Sequence, residues 1–172
     1  WPFDEVIDFS SMGSNTNFVA IKVGDVNNTV QANALQIVPR NGNGLVHFVA
    51  DERTVNAGET VELAIRSGDF ATIEGYQFTL QTKGLEFRGV EGGAVEMSDE
   101  NLGVFGDMLT ASWHKVGGVS ATSNDVLFTL RFQATASGQL SEMIELNSKE
   151  TAAEAYNTSD EIKDLKLTFR GL

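Results

Sequence analysis

Leu127-Phe128-Thr129-Leu130-Arg131-Phe132 is the stretch from which the fold can be read. Phe128, Leu130 and Phe132 alternate with Leu127, Thr129 and Arg131, and successive side chains of a strand point to opposite faces. The same period of two returns in Val61-Glu62-Leu63-Ala64-Ile65-Arg66, in Tyr76-Gln77-Phe78-Thr79-Leu80-Gln81 and in Leu165-Lys166-Leu167-Thr168-Phe169-Arg170. Each run carries one apolar face and one wetted face. Antiparallel sheets packed as a sandwich are built from such strands.

The separators are turn chemistry: Asn56-Ala57-Gly58, Ser67-Gly68-Asp69, Thr82-Lys83-Gly84, Glu91-Gly92-Gly93, Gly117-Gly118 and Ser137-Gly138. Further apolar runs at Leu45–Ala50, Leu85–Val90, Gly103–Trp113 and Met143–Leu146 bring the count to about eight or nine strands. That suits an all-β, jelly-roll-like two-sheet sandwich. The Ala-rich Lys149–Tyr156 is the one stretch with helical character, and it reads as a turn of helix or a loop.

Upstream, Leu35 to Gly44 is rich in Pro, Asn and Gly and reads as a connection. It divides a short N-terminal appendage with its linker, 1–38, from the sandwich, 39–172. Val19, Ile21 and Val23 suggest one strand ending at Gly24-Asp25. A segment this short does not bury enough surface to fold alone. The chain opens on Trp1-Pro2-Phe3 and reads as a piece cut from a longer protein.

Charge narrows the function. The net charge is −12, from 24 acidic against 12 basic residues. Nucleic acid and anionic lipid both recruit Lys and Arg, so neither is expected as a partner. The longest apolar stretches run five or six residues, against the roughly 20 that a bilayer-spanning helix needs, so membrane insertion is not expected. Cysteine is absent, which removes disulfides and thiolate chemistry.

Catalytic motifs are missing: no Gly-x-Ser-x-Gly elbow, no phosphate loop before a helix and no Cys nucleophile. Glu74 and Glu86 could be imagined as a glycosidase acid and base, but among 24 acids such a choice is close to arbitrary. His47 and His114 have no second His nearby to complete a zinc site and read as structural. The chain is therefore read as a binding module and not an enzyme. Two acidic loops, Glu96–Asn101 and Asn157–Glu161, are either solvated turns or places for a cation or a partner's basic residues. A sugar-binding platform would need exposed coplanar rings, and Trp113 is the ring in the sandwich that could serve.

Read in order, the sandwich half resembles a cohesin domain, the receptor module of cellulosome-type assemblies. The likeness runs through Val55-Asn56-Ala57-Gly58-Glu59-Thr60-Val61-Glu62-Leu63, Ile73-Glu74-Gly75-Tyr76-Gln77-Phe78-Thr79-Leu80, Leu85–Val90, Ser112-Trp113, Leu127–Ala134, Thr151–Tyr156 and Leu165–Phe169. Phe18–Asn28 resembles a segment that follows dockerin-type repeats in secreted proteins of Bacteroidetes-like bacteria. The resemblance implies a secreted or cell-surface receptor that binds a dockerin-like protein module in scaffold or adhesion assembly. A carbohydrate-binding module of a secreted polysaccharide-degrading protein, with polysaccharide as partner, is the alternative.

Cohesins generally dock through the outer face of one sheet, which points to Gln77, Thr79 and Gln81 on one strand and Thr129 and Arg131 on another. No cofactor is required by the resemblance, and calcium would enter mainly through the dockerin partner. Asp25 and Asn27 begin an oxygen-bearing stretch like that of a calcium loop. Such a loop wants Gly at its sixth position and a carboxylate at its twelfth, where Val30 and Gln36 stand. A metal there competes with a plain turn capped by Asp25 and Asn27.

Overall fold

The computed structural model describes residues 44–171. The appendage, with the candidate calcium ligands Asp25 and Asn27, lies outside the described residues. In chain order the strands are β1 (Leu45–Asp51), β2 (Thr54–Val55), β3 (Thr60–Ile65), β4 (Ile73–Thr82), β5 (Leu85–Gly92), β6 (Leu102–Phe105), β7 (Met108–Val119), β8 (Phe128–Ala134) and β9 (Gly138–Gln139). A single helical turn, α1 (Leu140–Met143), then leads to β10 (Ile144–Asn147), β11 (Glu154–Asn157) and β12 (Ile162–Arg170).

The strands form two layers. The larger sheet runs β1-β12-β11-β4-β7-β6, with β10 pairing the far half of β4; the smaller runs β3-β8-β5, and β2 and β9 make a separate two-stranded ribbon. β1 pairs in parallel with β12 over seven positions, from Leu45 opposite Asp164 to Asp51 opposite Arg170. It also reaches toward the smaller sheet, where Val49 and Arg66 exchange backbone hydrogen bonds of 2.8 and 2.9 Å. The strand that opens the sandwich thus stitches its two sheets together along one side.

Alternation places the core as the sequence reading expects. Val61, Leu63 and Ile65, then Tyr76, Phe78 and Leu80, then Phe128, Leu130 and Phe132 are all buried. Tyr76 sits at the centre, stacked on Trp113 at 5.3 Å and on Phe78 and Phe128 at 6.0 Å each, with Phe48 edge-on at 5.5 Å. Aromatic pairs in these arrangements add to the burial of their area. Trp113 is 4 % exposed, so the ring offered as a sugar platform belongs to the core.

Several elements differ from the sequence reading. Gly103–Trp113 is not one strand but the β6–β7 hairpin, turned by Gly106-Asp107. Of these two only Gly106 has positive φ (+64°), the pattern of a type II′ turn, in which glycine takes the first central position. Gly117-Gly118 does not separate strands; it lies inside β7. There His114 faces Gly75 and Val119 faces Ile73, so residues 115–118 bulge out opposite Glu74 alone. The Glu74 carboxylate closes that bulge by accepting the Gly117 N–H at 2.8 Å. Both glycines have positive φ, and a Cβ on Gly118 would press within 3.0 Å of the Thr72 backbone.

The stretch read as a helical turn or loop ends instead in β11, which fills the larger sheet between β12 and β4. Its two short pieces, β10 and β11, pair the same edge of β4 and leave the Ala-rich sequence to connect them. Leu127 is buried despite its place on the wetted side of the alternation. It precedes β8, and its backbone bonds to Ile65, Gly93 and Val95 instead of continuing the strand ladder. In β12 only Leu165 is fully buried, while Leu167 and Phe169 are half-buried.

Candidate docking face

The five side chains expected on one binding face stand on two. β4 pairs β7, β10 and β11 in the larger sheet, whereas β8 pairs β3 and β5 in the smaller one. Outward residues of two packed sheets point away from each other, so Gln77, Thr79 and Gln81 do not share a surface with Thr129 and Arg131. Alternation reveals which side of a strand is wet, but not which sheet owns the strand.

On the smaller sheet, Arg131 is flanked across the ladder by Glu62 of β3, at 3.3 Å, and Glu91 of β5. Arg88 and Glu86 of β5 pair at 2.6 Å. Thr129 is half-buried beside them. These charges are exposed and mutually satisfied, and exposed pairs of this kind are worth only about 0–1 kcal/mol each.

The outer face of the larger sheet is different. Register sets Ser112 beside Gln77, Thr110 beside Thr79, Met108 beside Gln81, and Phe105 beside Met108. Along β4 and β7 the rows therefore carry uncharged polar groups, with Glu154 of β11 beside Gln77, Glu145 of β10 beside Gln81 and an apolar pair at the hairpin end. Phe105 is 60 % exposed, and Val116 on the bulge is 83 % exposed. The hairpin turn is anchored to the end of β4 through one carbonyl: Asp107 O accepts the Thr82 N–H (2.7 Å), the Thr82 hydroxyl (2.9 Å) and Gln81 Nε2–H (3.1 Å).

Thr79 is on this face but out of reach of a partner, with no exposed surface. The connection from β10 to β11 crosses over it, and its Oγ1 accepts the N–H groups of Glu150 (3.1 Å) and Thr151 (3.0 Å). The expectation of Thr79 as a contact residue is thereby corrected: it fixes the crossing segment. Gln77 and Gln81 remain half-exposed. Gln77 Nε2 donates to Glu154 Oε1 at 3.0 Å, an oxygen that also accepts the Tyr156 hydroxyl.

The acidic loops are turns. In Glu96–Asn101, Met97 is buried, Asn101 Oδ1 accepts the Ser98 N–H at 2.9 Å, and Asn101 Nδ2 donates to Ser112 O. In Asn157–Glu161, the buried Asn157 accepts the N–H groups of Ser159 (3.0 Å) and Glu161 (2.9 Å) and donates to the Glu161 carboxylate. Among the described residues, no group of three or more His, Asp or Glu is placed to hold a metal ion.

Glu74 and Glu86 stand on different sheets, each with a partner already described. His47 lies on the outer side of β1 with its Nδ1 2.9 Å from Asp69, and His114 is exposed. The Arg53 side chain and the Asn56 N–H hold the Glu59 carboxyl below its ordinary value. Hydrogen bonds from the backbone and hydroxyl of Thr122 do the same for Asp125. Burial pushes the Tyr76 phenol up. None of the three is exposed on the larger sheet's outer face.

Neither a protein-family model nor a curated protein matches the sequence. Solved structures do match its fold. A type I cohesin from Clostridium thermocellum, in the OlpA cohesin–dockerin complex, is 13 % identical with a TM-score of 0.55, covering 75 % of this chain and all of that one. The sixth cohesin of scaffoldin B from Acetivibrio cellulolyticus, in complex with a Cel5 dockerin, is 16 % identical with a TM-score of 0.54, over 73 % of this chain and 95 % of that one. The fold is that of a cohesin domain. A type II cohesin from the same organism, in a cohesin–X–dockerin complex, superposes at 8 % identity and a TM-score of 0.51. Shared backbone with so little shared sequence shows the cohesin fold alone.

Within this cohesin-type sandwich, the sequence reading missed Phe105, Met108, Ser112 and Glu150 as surface candidates. A signal for the first two was present: Gly106-Asp107 between apolar residues marks a two-residue hairpin. Glu150 gave no comparable sign, because its place depends on a segment folding back over β4.

Proposed function

We propose that this chain is a non-catalytic, extracellular receptor for a dockerin-type module, docked on the outer face formed by β11, β4, β7 and β6. One observation carries the choice of face. The outward side chains of β4 and β7 at the centre of this surface, from Gln77 and Ser112 to Gln81 and Met108, are uncharged and are flanked by exposed Phe105, with the Glu154 carboxylate of β11 buried beside Gln77. The outer face of β8 is instead filled with paired Arg and Glu. Interface cores are depleted in charge and enriched in aromatics and Met. Support for the partner comes from the cohesins of the same fold, whose structures are complexes with dockerins. Among the described residues no helix is long and apolar enough to cross a membrane.

The test is surface plasmon resonance against a panel of dockerin modules, using the wild type, Ser112→Trp and Arg131→Glu. Ser112→Trp places a bulky ring at the centre of the face and is expected to weaken binding at least 100-fold, about 2.7 kcal/mol. Arg131→Glu is expected to stay within about twofold of wild type, because its face is not engaged. The reverse pattern would transfer docking to β8. Retention on insoluble polysaccharide, with no dockerin bound, would replace this reading with the carbohydrate-binding one.

A further inference from the structure

Phe105, Met108, Thr110 and Glu150 line a depression of about 330 Å³ on the outer face of the larger sheet. Its apolar side comes from the β6–β7 hairpin and its acidic side from the segment that crosses β4. Neither side is loose. The hairpin is held through the Asp107 carbonyl, and the Glu150 backbone through the buried hydroxyl of Thr79. The Glu150 side chain itself is exposed, and no cation among the described residues lies within ion-pair distance of it. On β10 the exposed Glu145 stands in the row of Gln81 and Met108, and Asp107 is exposed at the hairpin turn.

We propose that this depression is the specificity pocket of the docking face and receives one lysine or arginine side chain of the docked module. The proposal rests on the docking reading above and deepens it. A long basic side chain is amphipathic: its methylene stem packs on apolar surface while its charged head stays at the rim. Phe105 and Met108 offer the surface for the stem, and Glu150 offers a carboxylate for the head. Charge complementarity selects this occupant over an acidic one. The depression itself carries Glu150, Glu145 and Asp107 stand exposed on the neighbouring β10 and hairpin turn, the whole chain carries −12, and like charge brought against such a surface is repelled. A purely aliphatic residue would fill the apolar half and leave the carboxylate unused.

The experiment is a selection. A phage-displayed library of dockerin modules, fully randomised at exposed helix positions, is panned against the full chain as wild type, Glu150→Gln and Glu150→Lys. Thermal melts of the two variants serve as the check that the exposed substitution leaves the fold intact. Binders of the wild type are expected to show Lys or Arg enriched about tenfold at one randomised position. That enrichment is expected to fade on Glu150→Gln and to give way to Asp or Glu on Glu150→Lys. Binders whose composition at every position is the same on all three proteins would overturn the pocket while leaving the docking face standing. Failure to select any binder that Ser112→Trp abolishes would overturn the docking face, and the pocket with it.

Discussion

On the outer face of β8, Arg131 stands between Glu62 and Glu91, and each charge is answered by a neighbour across the ladder. On the outer face of β4 and β7 the side chains are neutral, apolar side chains stand exposed at the hairpin end, and the exposed Glu150 carboxylate waits at the edge. Both surfaces are the wet sides of amphipathic strands that share one core. The contrast teaches that an outward position is not a functional category. A face whose charges are spent on each other has little left to offer a partner; one with unspent apolar surface and a one-sided rim does.

The comparison can be broken at its base first. Tyr76 touches both layers through Trp113, Phe78 and Phe128, so Tyr76→Ala should destabilise the two faces together. A loss of about 3–5 kcal/mol is expected in denaturant unfolding, in a single transition. Separate transitions for the two sheets would show that the faces are independent and the contrast only local.

Thr79→Val sharpens the comparison from the docking side. The valine keeps the shape but strands the N–H groups of Glu150 and Thr151, at a cost of about 1–3 kcal/mol. Amide hydrogen exchange at these two residues should accelerate well beyond that of the neighbouring β4 amides. Unchanged exchange would mean that the crossing segment is held by something other than this hydroxyl.

The smallest effect belongs to the laddered face. Arg131→Ala should change stability by less than about 1 kcal/mol, because the pairs it breaks are exposed. A larger loss would show that the ladder has a structural role the exposed geometry conceals.

Legibility in the sequence followed the range of the interaction involved. Val61, Leu63 and Ile65 or Phe128, Leu130 and Phe132 could be assigned to the core because alternation is local, and the sandwich and its cohesin fold followed. Ownership of a strand by a sheet is decided by pairing between residues far apart in the chain, in β4 from 27 positions for Gln81 and Met108 to 84 for Ile73 and Asn157. The same alternation in Gln77 and Arg131 therefore gave no hint that they face opposite ways. Thr79 reads as an outward threonine until residues 148–153 are laid across it. Gly117-Gly118 looks like any turn, and only the register with β4 shows that it is a bulge closed by Glu74. The candidate site was legible in its residue types and not in its assembly.

The parallel pairing of β1 with β12 has a mechanical side. Because both strands run the same way, the chain enters at Leu45 and leaves at Arg170 at opposite ends of the ladder, six steps of about 3.3 Å apart. Tension applied between these two points runs along the strands. It loads the ladder's bonds side by side, in shear, instead of peeling them one at a time.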